Sequence, residues 1–277
     1  MTAPPMAYYG GKTRLANKIV HLLPAHRHYV EPYAGSLAVL LAKTPSHMET
    51  VNDLDGDLIA FWRVLRDRPH DLARVCALTP HSRAEHLASF AGPPPDCVDL
   101  DLEQARLAWV RISQGRTGTL RKTGWRFYVN PGGSSASMPT YLRGYVNRMA
   151  AAAQRLHHVS LECRPATELI GAYGQFGSVC RYLDPPYLGA TRARNYRTEM
   201  TSEAEHAEML DLALHATASV VISGYASDLY DTALADWTRI EIPAWTGQTA
   251  REFAERTEVL WVNRPVGEPT LFDEALP

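Results

Sequence analysis

The chain has 277 residues, 45% of them hydrophobic and 21% charged, with a formal net charge of −2. That length suits one large domain, or a core domain carrying a sizeable insertion. It is no uniformly basic nucleic-acid binder; its apolar runs fall far short of a membrane span, and the opening Met1-Thr2-Ala3-Pro4-Pro5 lacks a signal pattern, so a cytoplasmic location is expected. Cys76, Cys97, Cys163 and Cys180 are scattered without metal-ligand spacing, which argues against a zinc site or a disulfide framework; most should be small buried hydrophobes, and no metal is expected.

In chain order, residues 12–23 have helical spacing, 28–31 form a short strand running into Pro32, and 36–42 are a helix. Residues 50–52 end a second strand and 58–66 form another helix, the rhythm of a doubly wound α/β sheet. From 67 to 154 the pattern becomes helical and loop-like, with a Gly-rich, turn-forming centre at 117–139. The α/β rhythm then resumes: strands at 159–162, 179–183, 219–223, 238–242 and 258–262, helices at 167–173 and 203–216. We therefore expect a catalytic domain built from 1–66 and 155–277, with 67–154 inserted as a binding module.

Charge is distributed unevenly. No Asp or Glu lies between Gln104 and Leu161, yet nine Arg and Lys residues do, among them Arg116, Arg121, Lys122 and Arg126. An acid-free stretch of this length points to a polyanion contact. Arg192, Arg194 and Arg197, interleaved with Tyr196, suggest a second basic loop.

The strongest motif is Asp184-Pro185-Pro186-Tyr187, directly after a strand, where the prolines stiffen the loop leaving the sheet. An exocyclic amine on an aromatic ring is a poor nucleophile, because its lone pair is delocalised into the ring. A carboxylate oxygen and the adjacent prolyl carbonyl can accept its N–H groups and favour a tetrahedral nitrogen, while Tyr187 offers a face for a flipped base. The run Glu31-Pro32-Tyr33-Ala34-Gly35-Ser36 turns from strand to helix, as suits a nucleoside cofactor. Asp53, at the next strand's end, can hold two ribose hydroxyls; its plainer alternative is a helix N-cap. Tyr8-Tyr9-Gly10-Gly11-Lys12-Thr13 is not a phosphate loop, since Met6 stands where the first Gly is needed. It is either a capping turn or a cofactor-closing loop that brings Lys12 near the reacting groups. His206 reads as a packed or surface histidine, and Tyr225 as a residue that lines the base pocket or simply packs.

Taken in order, Tyr-Tyr-Gly-Gly-Lys, Val-Glu-Pro-Tyr-Ala-Gly-Ser, Asn-Asp and Leu-Asp-Pro-Pro-Tyr resemble the Dam-like, alpha-group DNA adenine-N6 methyltransferases of phage and restriction-modification systems. The Pro-Cys nucleophile of cytosine-C5 methyltransferases is missing. The resemblance implies a Rossmann-like S-adenosylmethionine-dependent fold with an inserted, mostly helical target-recognition domain. It implies site-specific methylation of adenine N6 in double-stranded DNA by base flipping and direct transfer, with cytosine-N4 methylation or an inactive DNA-binding homologue as alternatives. Tyr8, Lys12, Glu31, Pro32, Tyr33, Gly35, Asp53 and Asp184 would hold the cofactor, and residues 184–187 would be catalytic. Arg116, Arg121, Lys122, Arg126, Arg192, Arg194 and Arg197 would grip DNA. A partner restriction enzyme, and a monomer or weak dimer, are further implications. Two departures stand out. Ser36 replaces a second glycine, and Glu162-Cys163-Arg164-Pro165-Ala166 lacks an Asp-Phe pair, leaving the cofactor's adenine to the backbone around residues 164–166.

Overall fold

The fold is taken from a computed structural model, which describes residues 2–130, 132, 136–188, 200, 202–246 and 254–264. Its first half alternates as α1 (Ala16–His21), β1 (His28–Glu31), α2 (Ala38–Ala42), β2 (Met48–Asn52) and α3 (Gly56–Asp67). Helices α4 (Pro69–Leu78), α5 (Arg83–Ala88), α6 (Leu100–Gln114) and α7 (Met138–Leu156) follow. The chain then returns to the sheet with β3 (Val159–Glu162), α8 (Ala166–Tyr173), β4 (Val179–Leu183), α9 (Glu203–Leu214) and β5 (Ser219–Gly224). It closes with α10 (Asp228–Ala233), β6 (Thr238–Thr246) and β7 (Ala254–Val262). The periodicity thus located each of the seven strands among the described residues, while the first helix begins later than expected because residues 12–15 form a turn, with the amides of Leu15 and Ala16 donating to the Lys12 carbonyl.

The strands form one seven-stranded sheet in the order β3-β2-β1-β4-β5-β7-β6. The first five are parallel and β7 runs against β5 and β6. Strand order reverses between β1 and β4, so the crevice beyond their carboxyl ends is where such sheets place a ligand. Both faces are covered, and β1, β4 and β5 are buried along their whole length. Alternation sends Tyr29, Tyr182, Val221, Leu260 and Val262 into one core, with α1, α3, α6 and α7. Leu183, Val220, Ile222, Val259 and Trp261 enter the other, with α9 and α10.

The helices of segment 67–154 share that first core with the sheet. Leu72 and Cys76 of α4, Trp109 of α6 and Met149 of α7 are buried among the residues of α3, and the Trp109 indole donates to the Pro5 carbonyl at 3.0 Å. Cys76 and Cys180 are buried, whereas Cys97 is half-buried and Cys163 exposed, so only two of the four act as small core residues. No helix among the described residues is long and apolar enough to cross a membrane.

Candidate active site at the carboxyl edge of the sheet

A cavity of about 260 Å³ opens beyond the carboxyl ends of β1, β2 and β4. Its walls include Tyr8, Lys12, Glu31, Pro32, Tyr33, Gly35, Asp53 and Asp184, the eight residues expected to meet a cofactor. The turn from β1 into α2 is tight: Gly35 has φ 46° and Leu37 φ 54°. A Cβ on Gly35 would lie 3.1 Å from the Tyr8 ring, so the turn tolerates only glycine. Ser36 is buried against the N-terminal loop, where a Cβ on Gly11 would lie 2.9 Å from its Oγ. Gly11 and Ser36 therefore fit one another.

Asp53 does not cap a helix. The cap of α3 is Asp55, whose side chain accepts from the Asp57 amide. Asp53 instead accepts from the Gly35 amide at 3.0 Å and the Asp55 amide at 2.9 Å, tying the two loops together. Burial, only partly offset by those amides, pushes its carboxyl up to about 6. Asn52 enters the sequence reading only as half of the Asn-Asp motif, with no role of its own. It donates to the carbonyls of Pro32 (2.9 Å) and Arg164 (3.0 Å) and accepts from the Arg164 amide (3.0 Å), pinning the ends of β1, β2 and β3. Pro165, Ala166 and Thr167 line the cavity just beyond that clamp.

The chemical centre is a cluster around Asp184. Lys12 Nζ donates to both its carboxylate oxygens, at 2.7 and 2.8 Å, and to the Gly10 carbonyl at 3.1 Å. The Ser223 hydroxyl donates to Asp184 Oδ1 at 2.9 Å, and the Tyr187 oxygen lies 3.2 Å from the same atom. Tyr182 exchanges a hydrogen bond with Ser223 at 2.9 Å. Glu258 completes the group: it accepts from the Tyr187 hydroxyl and lies 3.5 Å from Lys12 Nζ. Burial by itself would lower the Lys12 pKa, but Asp184 and Glu258 outweigh it and hold the ammonium charged. Burial raises Glu258, with Lys12 opposing it.

Of the tetrapeptide, Asp184 and Pro186 line the cavity and Pro185 is buried. The Tyr187 ring sits under Lys12, 4.9 Å from Nζ, and meets Tyr225 edge-on at 4.5 Å. Ser223 and Glu258 were missed in the sequence. The available signal for Glu258 was a lone acid opening the apolar run Val259-Leu260-Trp261-Val262. His206 is a buried packing residue, bonded to the Tyr230 hydroxyl at 2.7 Å and the Met200 carbonyl at 3.1 Å.

The acid-free segment divides in two. Arg111 pairs with Asp57, Arg106 with Glu85 and Glu103, and Arg155 with Glu49, all acids from outside the stretch. These three therefore serve the fold: Arg106 has Glu103 within its own helix, and folding brings Glu85, Asp57 and Glu49 from farther away. Arg121 and Lys122 border an open groove that shares Leu120 with the cavity. Arg116 lies against Gly124, and Arg126 packs over Tyr128 and Tyr141. Arg192, Arg194 and Arg197 lie outside the described residues.

Residues 8–89 match the family described as D12 class N6 adenine-specific DNA methyltransferase. An 81-residue stretch is 32% identical to the Type II methyltransferase M1.LlaDCHI of Lactococcus lactis subsp. cremoris, covering 29% of this chain and 28% of that protein. The expected resemblance thus holds over the N-terminal third, and the match spans under a third of the relative's length. Among solved structures, a precorrin 8w decarboxylase from Methanobacterium thermoautotrophicum aligns with a TM-score of 0.38 at 9% identity, over 95% of this chain and 98% of that one. The rRNA methyltransferase aviRa from Streptomyces viridochromogenes aligns with a TM-score of 0.35 at 14% identity, over 95% and 88%.

Proposed function

We propose that this chain is a Dam-like, D12-class DNA methyltransferase that methylates the N6 amine of adenine within a specific double-stranded sequence. The observation that carries the reading is the meeting of Asp184 and Pro186 with the Gly35 turn at the point where strand order reverses, inside one cavity. The family match covers the residues that build the cofactor side of that cavity, including Tyr8, Lys12, Gly35 and Asp53.

The residues fit S-adenosylmethionine. Asp53, Asp55, Asp184, Glu205 and Glu208, against the cation Lys12, make the wall predominantly acidic, as a ligand carrying a sulfonium and an ammonium group requires, and the Asp53 carboxylate faces the same space as acceptor for ribose hydroxyls. Bound there, it would supply an electrophilic methyl group. The chain's task is then positional. Asp184 and the carbonyl of Pro185 accept the target amine's hydrogens, localise its lone pair and stabilise positive charge as it develops on nitrogen. Tyr187 and Tyr225 provide aromatic surface for an extruded base. Arg116, Arg121, Lys122 and Arg126, with Arg192, Arg194 and Arg197, supply phosphate contacts that hold the duplex in register.

The test is to incubate the protein with genomic DNA and isotopically labelled methyl donor, digest to nucleosides and weigh the products. Single-molecule sequencing of the same DNA reads the site. N6-methyladenine at one recurring sequence, lost in Asp184→Ala while duplex binding persists, is the expected result. N4-methylcytosine, or no methylated base, would overturn the assignment.

A further inference from the structure

The inference rests on the methyltransferase reading above and concerns how the target amine gains access to Asp184. Among the described residues, Asp184 accepts three hydrogen bonds, two from Lys12 and one from Ser223, while the Tyr187 oxygen, whose one proton goes to Glu258, closes on Oδ1 at 3.2 Å. A carboxylate has about four lone-pair sites. An incoming amine therefore finds Lys12 on both carboxylate oxygens, with Oδ1 also taken by Ser223. The Lys12 charge also neutralises Asp184, removing the negative field needed beside a nitrogen that becomes cationic. One donor must leave. Ser223 and Tyr187 are fixed by further partners, the hydroxyl of Tyr182 and the carboxylate of Glu258. Lys12 is the donor with somewhere to go, because its ammonium already lies 3.5 Å from Glu258 Oε1.

We propose that Glu258 is a positioning residue that receives the Lys12 ammonium when Asp184 takes the target amine. Lys12 moves between two carboxylates about its own reach apart and stays paired throughout, so neither state buries an uncompensated cation. Asp184 regains its charge as the amine arrives. No covalent bond changes in this exchange; one ammonium hydrogen-bond set is released from Asp184 and formed on Glu258. Among the described residues, the titratable groups facing Glu258 include Lys12, Asp184, Tyr187 and Tyr182, and of these Lys12 is the cation. Glu258 can occupy this place because β7 is antiparallel: its early residues lie at the edge where β4 and β5 end.

Glu258→Gln is the decisive variant, since its amide oxygen can still accept from Tyr187 but no longer balances an ammonium. Lys12 then stays on Asp184. With the duplex identified by sequencing, single-turnover transfer should fall roughly tenfold or more, within the coupling range of contacting charged groups. Calorimetric titration with the product S-adenosylhomocysteine should give an unchanged Kd, which also certifies a folded site. In Lys12→Met, Asp184 is released without help, so adding Glu258→Gln should cost nothing further. Glu258→Asp keeps the charge and should retain more rate than Glu258→Gln. Near-normal transfer by Glu258→Gln, additive losses in the double variant, or Glu258→Asp slower than Glu258→Gln would each overturn the exchange. A wild-type protein that methylates no DNA would instead remove the functional reading beneath it.

Discussion

Two buried lysines occupy opposite ends of the parallel part of the sheet, and their surroundings carry opposite charge. At the carboxyl edge Lys12 is shared by two acids, Asp184 and Glu258. At the amino edge Lys43 and Arg155 share one acid, Glu49, at 2.6 and 2.5 Å. Lys43 further donates to the Thr44 carbonyl and the Ser46 hydroxyl, both at 2.7 Å, and lies 4.8 Å over the Tyr29 ring. Titration behaviour follows. Burial lowers Lys43 despite Glu49, whereas Lys12 is raised. Glu49 is held low by Arg155 and Lys43 although burial opposes them, whereas burial raises Glu258. A cluster with excess cation and every acceptor committed fastens strands. A cluster with excess anion has negative charge to offer a cationic ligand or a developing cation.

The contrast can be broken most severely at the amino edge. Glu49→Gln leaves Lys43 and Arg155 buried without their counter-ion, and should cost about 3–5 kcal/mol of stability, as for other broken buried pairs. Urea unfolding measures it, and transfer per folded molecule should be unchanged; a loss under 1 kcal/mol would erase the distinction between the edges.

The next effect is on ligand affinity at the carboxyl edge. Because the Asp53 carboxyl is pushed up to about 6, affinity for a nucleoside cofactor should climb as pH rises through that value and Asp53 ionises. Asp53→Asn should flatten this rise and weaken binding by roughly ten- to a hundredfold, the worth of hydrogen bonds to a charged acceptor. Calorimetry with S-adenosylhomocysteine across the window decides it, and an identical pH slope in the variant would exclude Asp53 from the ribose contact.

The smallest effect is a slope in stability. Burial, against the donated hydroxyl of Tyr29 at 3.0 Å, pushes Glu31 from 4.5 up to about 8. The folded state therefore keeps a proton that the unfolded chain has released between those values. This contribution is fully present below 4.5 and is lost as pH rises through about 8. Glu31→Gln should lose less stability than the parent over that window in denaturant melts. Parallel curves would show that Glu31 is already ionised, and the acidic edge more polar than its burial indicates.

Much of this was legible in the chain because it is local. Strand endings, the Gly35 turn and the Asp-Pro-Pro-Tyr loop announce themselves within a few residues, and a parallel sheet must deliver its strand endings to one edge. The segment from 67 to 154 was less legible. Its helices follow their own periodicity, yet Trp109 and Met149 face a core completed by α3 and the sheet.

Sequence alone determined the doubly wound order of elements, the residues lining the cavity from β1, β2 and β4, and the chemistry that Asp184 can offer. Tertiary structure decided the charge balance. Glu258 joins the site only because β7 runs against β5, which sets the residue before Val259 just beyond Gly224 at the carboxyl edge. Arg111 and Arg155 find their counter-ions only because Asp57 and Glu49 arrive from distant segments. Backbone pattern is written in neighbouring residues, whereas the pairing of charges acts through space and waits for the fold to set the distances.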